Sequence, residues 1–215
     1  MKILVVGYGS IGKRHIKNLK NYKNIEIIIL TKITSDKFLK KENCKIVNSI
    51  DDAIKEKPDA AFITNETNQH IDVSLKLAKN GIHLFIEKPL SDSLKKINQL
   101  EKIIKEKKII SQVGCNLRFH PCIKKIKDLI IKNQIEKNFS VHVENGSYLP
   151  DWHQYENYKK SYASNQKQGG GVILTNIHEI DYLYWFFGKV KEVTAISGRI
   201  SKINTSAEEF SSIIL

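Results

Sequence analysis

The chain opens on Lys2-Ile3-Leu4-Val5-Val6 and passes directly into Gly7-Tyr8-Gly9-Ser10-Ile11-Gly12. A short apolar strand, a G-x-G-x-x-G turn and a helix-like stretch from Lys13 to Lys20 are the opening of a βαβ unit. In such a unit the first glycine permits the tight turn. The second lets the backbone approach a pyrophosphate, and the third lets the helix lie close to the strand. The helix N-terminus then presents unbonded N–H groups to an anion. A glycine-rich strand–helix turn that binds nothing is the competing reading, and the rest of the chain must separate the two.

Strand and helix patterns alternate beyond this turn. Ile25 to Leu30 is a continuous apolar run, suited to a strand buried on both faces of a parallel sheet. Cys44 to Val47 reads as a short strand, and Ile50 to Lys57 as a helix that Pro58 ends. Asp59 to Thr64 is the next strand, and Ile71, Leu75 and Ala78 recur at helical spacing until Asn80-Gly81. Ile82 to Ile86 is a further strand. Leu94, Ile97, Leu100 and Ile104 mark a helix behind the capping candidates Ser91 and Ser93, and Ile109 to Cys115 closes the series. The alternation predicts an α/β fold, a doubly wound parallel sheet over residues 1–120.

The pattern changes after Pro121. A helix from Ile123 to Lys132 precedes an alternating, strand-like segment from Phe139 to Ser147. A polar-aromatic loop, Tyr148 to Gln168, leads through Gly169-Gly170-Gly171 to a helical stripe of Ile177, Ile180, Tyr184 and Phe187. Val190 to Ile196 and Glu208 to Leu215 read as strands. Residues 121–215 are therefore expected to form a partial α+β domain with an open, mostly antiparallel sheet. Because the last apolar run would leave an unpaired edge, a C-terminally truncated chain is expected.

The net charge of +12 raises the question of nucleic acid. Most of that charge is lysine in mixed runs such as Lys102-Ile103-Ile104-Lys105-Glu106, which suit the wet faces of amphipathic helices. Arginine, the better reader of phosphates and bases, occurs only at Arg14, Arg118 and Arg199. Neither zinc-finger spacing nor an aromatic RNA-binding signature is present, so neither nucleic acid nor a metal site is expected. No apolar run approaches the ~20 residues of a membrane span, and no signal peptide is apparent. Cys44, Cys115 and Cys122 form no C-x-x-C pair, and reduced thiols in a cytoplasmic protein are expected. Cys115 and Cys122 flank apolar positions and read as buried filler.

Several segments together resemble one family. Glu87-Lys88-Pro89 follows a strand at the sheet's carboxyl edge, where α/β ligands bind. With Gly7 to Gly12, Ile63-Thr64-Asn65, His70, and Gly114-Cys115-Asn116-Leu117-Arg118-Phe119, it resembles the Gfo/Idh/MocA oxidoreductases. Gly169-Gly170-Gly171 and His178-Glu179-Ile180-Asp181 are similar to the family's second-domain active-site helix. The stretch from Leu149-Pro150-Asp151-Trp152 through Tyr155, Tyr158, Lys159, Ser161 and Tyr162 looks like a subgroup associated with bacterial surface-sugar pathways.

The resemblance implies a two-domain, NAD(P)-dependent enzyme acting on a hydroxyl of a sugar, polyol or sugar derivative, as a homo-oligomer when the second domain is complete. It implies that Lys88 supplies positive charge at the developing alkoxide and that His178 moves the hydroxyl proton. Glu87 would orient Lys88 or the carboxamide end of the cofactor. Asn116, Arg118, Trp152 and His178 would contact substrate. Gly7, Tyr8, Gly9, Ser10, Ile11, Gly12, Thr31, Lys32, Thr64, Asn65, His70, Glu87 and Lys88 would line the cofactor. A plain alternative for His178 is a helix histidine bonded to Asp181, and for Lys88 a surface lysine.

Two positions depart from the family pattern. Many members carry an aspartate three or four residues before the helix histidine, where this chain has Thr175 and Leu174. The loop after Ile63 often holds a proline where this chain has Glu66, an unfavourable charge beside a pyrophosphate unless it turns away. Cofactor choice rests on the end of the second strand. Lys32 stands twenty residues beyond Gly12, where an NAD-preferring fold places a carboxylate. In that region no acid precedes Asp36, the one before it being Glu26 within the strand. The expected cofactor is NADP or NAD, with NADP favoured. A redox-neutral lyase or epimerase of the same fold and a non-catalytic dinucleotide-binding fragment stand as the other readings.

Overall fold

The structure, a computed structural model, describes residues 1–33, 44–135, 140–152 and 157–215. Two units divide it, Met1–Gly114 and Cys115–Leu215. In the first, strands β1 (Lys2–Val6), β2 (Glu26–Leu30), β3 (Lys45–Val47), β4 (Ala60–Ile63), β5 (His83–Ile86) and β6 (Ser111–Val113) form one parallel sheet. Their order is β3-β2-β1-β4-β5-β6. The reversal between β1 and β4 is the switch point at which open α/β sheets bind ligands.

Side-chain alternation sends successive residues of each strand to opposite faces, and both faces are covered. Ile3, Val5, Ile27 and Ile29 pack against Ile16 and Leu19 of helix α1 (Ser10–Leu19). Leu4, Val6, Ala61, Ile63, Leu84 and Ile86 face the other way. There they meet α2 (Ile50–Lys55), α3 (His70–Lys79) and α4 (Ile97–Glu106) through Ala53, Ile71, Leu75, Leu77 and Leu100. Burial on both sides explains why the β2 run has no polar alternation.

Helix α4 differs from the expected one. Ser91 and Ser93 do not cap it; the Ser91 hydroxyl instead accepts a local bond from the Ser93 N–H. Lys96, in the left-handed region at φ 63°, precedes the first turn, and its ammonium reaches Asp72 of α3 at 2.7 Å. The inward face therefore starts at Ile97, and Leu94 is left 89% exposed.

The second unit holds α5 (Pro121–Ile131), α6 (Val172–Thr175), α7 (Ile177–Phe187) and an antiparallel pair, β7 (Thr194–Gly198) and β8 (Phe210–Ile214). Pro121 opens α5 at a position where its missing N–H costs nothing, and the His120 ring accepts from the Cys122 N–H. Among the described residues of the polar-aromatic loop there are four short 3₁₀ turns.

Four expectations fail in this unit. Residues 140–147 form no strand, and Phe139 lies outside the described residues. Among the described residues the alternation of Val141 and Val143 has no strand paired with it, and a strand exists only through its ladder. The strand expected at Val190–Ile196 begins at Thr194, because its register is set by pairing Thr194 with Ile214. On α7, Tyr184 and Phe187 are exposed and Phe186 is the buried ring. Cys122 is also exposed, so it fills no core, and Cys44, Cys115 and Cys122 form no disulfide with one another. Among the described residues no helix is long and apolar enough to cross a membrane.

Candidate active site

Four loops of the first unit lie side by side at the carboxyl ends of neighbouring strands. The sheet's ladder carries on into each of them. Gly7 N–H donates to Leu30, Thr64 N–H to Val6, Glu87 N–H to Ile63 and Gly114 N–H to Ile86. The segments Gly7–Gly12, Thr64–Asn65, Glu87–Lys88 and Gly114, scattered through the sequence, therefore share one edge.

The three glycines of the turn differ in their surroundings. Gly7 sits at φ 94°, and a Cβ on it would stand 2.8 Å from the Asn65 nitrogen. A Cβ on Gly12 would overlap the Gly7 carbonyl, so the helix closes tightly on the turn. A Cβ on Gly9 would meet nothing within 4 Å. Gly9 and Ser10 are exposed, and the N-cap residue of α1, Gly9, supplies no side-chain cap to the first N–H groups. An open cradle at a helix N-terminus suits a pyrophosphate. Tyr8 is buried and carries the Lys13 ammonium 4.6 Å above its ring. The Thr64 hydroxyl donates to the Val6 carbonyl at 2.9 Å, pinning the β4 loop to the turn. Glu66 accepts from the Gln69 amide at 3.2 Å.

Thr31 and Lys32 stand at the carboxyl end of β2, with Lys32 exposed. Asp36 lies outside the described residues. His70, 1% exposed, ties two site loops together. Its Nδ1 is 2.8 Å from the Pro89 carbonyl and its Nε2 3.0 Å from that of Asn65. The ring thus lies between the loops that carry Asn65 and Lys88.

Sequence reasoning overlooked His15. Its Nε2 lies 2.7 Å from the Glu87 carboxylate, which also accepts the Lys88 N–H at 3.3 Å. A signal existed: Gly12, His15, Ile16 and Leu19 follow the i, i+3, i+4, i+7 rule, placing a histidine on the inward stripe.

The second unit places the other candidates. His178 is on the first turn of α7, and the two acids near it are held from outside the helix. Asn145 donates to Glu179 at 3.0 Å. Asp181 receives both arms of Arg118, at 2.8 and 2.6 Å, and this bond raises the guanidinium pKa further. Arg118, expected to contact substrate, and Asp181, the alternative partner of His178, are thus bonded to each other through the guanidinium Nε and one terminal nitrogen. Burial, then Glu179, push the Tyr182 hydroxyl up. Lys127 caps the other end of α7, donating to the Trp185 carbonyl at 2.5 Å. Asn116 opens an exposed 3₁₀ turn. Trp152 donates from its indole N–H to Ser147 and lines a cavity of about 230 Å³ with Asn145, Thr175, Asn176, Glu208 and Glu209. Tyr155 lies outside the described residues.

The open-sheet geometry, the glycine cradle and the parallel strand order define a dinucleotide-binding Rossmann unit. Residues 1–115 match the family described as "Oxidoreductase family, NAD-binding Rossmann fold" (GFO_IDH_MocA), and residues 123–215 match "GFO/IDH/MocA C-terminal domain". The chain belongs to the Gfo/Idh/MocA oxidoreductase family.

Among its relatives is myo-inositol 2-dehydrogenase of Thermotoga maritima, 28% identical over 202 residues, covering 91% of this chain and 58% of that one. The 2,7-anhydro-N-acetylneuraminate hydratase of Escherichia coli is 24% identical, covering 92% and 52%. The WlbA dehydrogenase of Chromobacterium violaceum, solved with NADH and UDP-GlcNAcA, shares the fold at a TM-score of 0.86 and 17% identity, covering 99% and 62%. The chain spans less than two thirds of the length of each of these relatives.

Proposed function

We propose that this chain serves an NAD(P)-dependent oxidoreductase acting on a hydroxyl of a sugar, a polyol or a sugar derivative. The observation that carries the reading is the convergence of the Gly9 cradle, Thr64–Asn65 and Glu87–Lys88 on one edge of the parallel sheet. The inositol dehydrogenase relative and the WlbA neighbour, solved with NADH and UDP-GlcNAcA, support that substrate class. The resemblance of the stretch from Leu149 to Tyr162 to a surface-sugar subgroup extends the proposal to that chemistry.

The bound nicotinamide would supply hydride acceptance or donation. The chain's own residues do the rest. N–H groups of the Gly9–Ile11 turn and the α1 terminus hold the pyrophosphate. Thr31 and Lys32 meet the adenine-side ribose, where a cation favours a 2′-phosphate and hence NADP. Lys88 brings positive charge to the substrate hydroxyl, and His178 takes or returns its proton. Asn116 and Trp152 contact the substrate.

A redox-neutral reaction on the same cofactor is the second reading. The hydratase relative favours it, as does the absence of a carboxylate at Leu174 and Thr175.

The test is turnover of inositols, amino sugars and UDP-sugars with NADP or NAD, followed by nicotinamide absorbance at about 340 nm. His178→Ala is expected to lower kcat by about 10²–10⁴-fold with cofactor affinity retained, and Lys88→Ala by at least as much. Full rate in either variant removes that residue from the chemistry. Conversion of substrate without any net absorbance change selects the second reading.

A further inference from the structure

A histidine on the buried stripe of a helix has either a packing role or a partner. His15 has both. Its ring lies 5.0 Å from that of Phe62 and 5.2 Å from that of Phe85, and those two phenyl rings stack at 4.8 Å. The aromatic shelf from β4 and β5 fixes the imidazole plane. Its Nε2 is aimed at Glu87 Oε1, 2.7 Å away, with the two side chains only 16% and 18% exposed. The far side of the carboxylate is closed by Gly114, where a Cβ would stand 3.2 Å from Oε2. The Glu87 carboxylate is thus held at both oxygens, Oε1 beside His15 Nε2 and Oε2 accepting the backbone N–H of Lys88.

We propose that His15 is a positioning residue for Lys88. Acting through the Glu87 carboxylate, it holds the backbone from which the Lys88 side chain departs. The physical need is plain: an ammonium on four flexible carbons is placed only as well as its Cα. A bond to the adjacent residue's carboxylate, itself clamped to α1, anchors that Cα to the same helix whose N-terminus faces the pyrophosphate. Cofactor cradle and reactive cation are thereby set on one rigid element. The inference rests on the reading of Lys88 as the catalytic cation.

The experiment compares wild type, His15→Ala, His15→Gln and Gly114→Ala in the full chain. The readout is the rate at which acetic anhydride, in limiting amount, acylates Lys88, measured by peptide mass spectrometry. Exposed Lys45 and Lys102 serve as internal references. His15→Ala is expected to change the Lys88 rate by about threefold or more, since amine reactivity follows local environment, with both references unchanged. Gln places its amide nitrogen near the former Nε2 and restores the rate. Gly114→Ala crowds the carboxylate from the other side and shifts the Lys88 rate even if His15→Ala does not fold.

An unchanged Lys88 rate in the folded variants overturns the proposal, as does a uniform change at all three lysines that Gln fails to rescue. With an active substrate, kcat should fall about tenfold in His15→Ala and recover in His15→Gln. A shifted Lys88 rate in a protein that turns over nothing leaves the positioning role standing and refutes the oxidoreductase reading. An unmoved Lys88 with normal turnover does the reverse.

Discussion

Gly7 and Gly9 are two residues apart and chemically identical, yet the structure gives them opposite sensitivities. Gly7 has a positive φ and backbone atoms where a Cβ would go, so Gly7→Val strains the fold itself. Gly9 faces open space, so Gly9→Val leaves the fold intact and removes only room for the pyrophosphate. Gly9→Val is expected to melt like wild type while NADP(H) affinity falls by about 100-fold or more, about 2.7 kcal/mol. Lys32→Asp, read in the same calorimetry, is expected to move preference from NADP to NAD. Unaltered affinity in Gly9→Val would mean that no phosphate occupies the turn. His15 shows how far residue-level reading reaches. Its place on the helical stripe is visible in the sequence, but its partner, 72 positions away, is not.

Elements are where local pattern and tertiary context disagree most. The β1, β2, β4 and β5 runs are recognisable because strands covered on both faces must be apolar throughout. Segment 140–147 has strand-like alternation and forms none, because pairing is a property of two segments. The β7–β8 hairpin is held at its connection by Glu209, whose carboxylate accepts the N–H groups of Ile200 and Ser201. Bonds from Ser201, chiefly its side chain, hold that carboxyl below its ordinary value of 4.5. A depressed folded-state pKa contributes stability that is complete above 4.5 and is lost as the pH falls through the lower, folded-state value. Hairpin protection, followed by amide NMR, is therefore expected to decline on acidification below pH 4.5 in wild type. Glu209→Gln should be less protected at neutral pH and should lack that step; an identical acid profile would exclude Glu209 as its source.

At the scale of the whole molecule, the two units differ in how much apolar surface they bury. Met1–Gly114 has a hydrophobic cluster on each face of its sheet. Among the described residues of Cys115–Leu215, the buried hydrophobic side chains are Ala163, Phe186 and Ala207. A two-stranded sheet with so little beneath it is marginal. Hydrogen exchange of the full chain is expected to show strong protection in β1 and β5 and weak protection from Cys115 onward, since local stability follows buried contacts. Uniform protection across both units would refute this. The sequence by itself determined the parallel βαβ frame and the glycine turn, since apolar runs, turn residues and helical stripes are local properties of neighbouring residues. Only the tertiary structure decided which polar groups meet: His15 with Glu87, His70 with Pro89, and Arg118 with Asp181 across 63 positions. Such pairs form where separate elements are brought together by packing, and nothing in the spacing of either partner encodes the other.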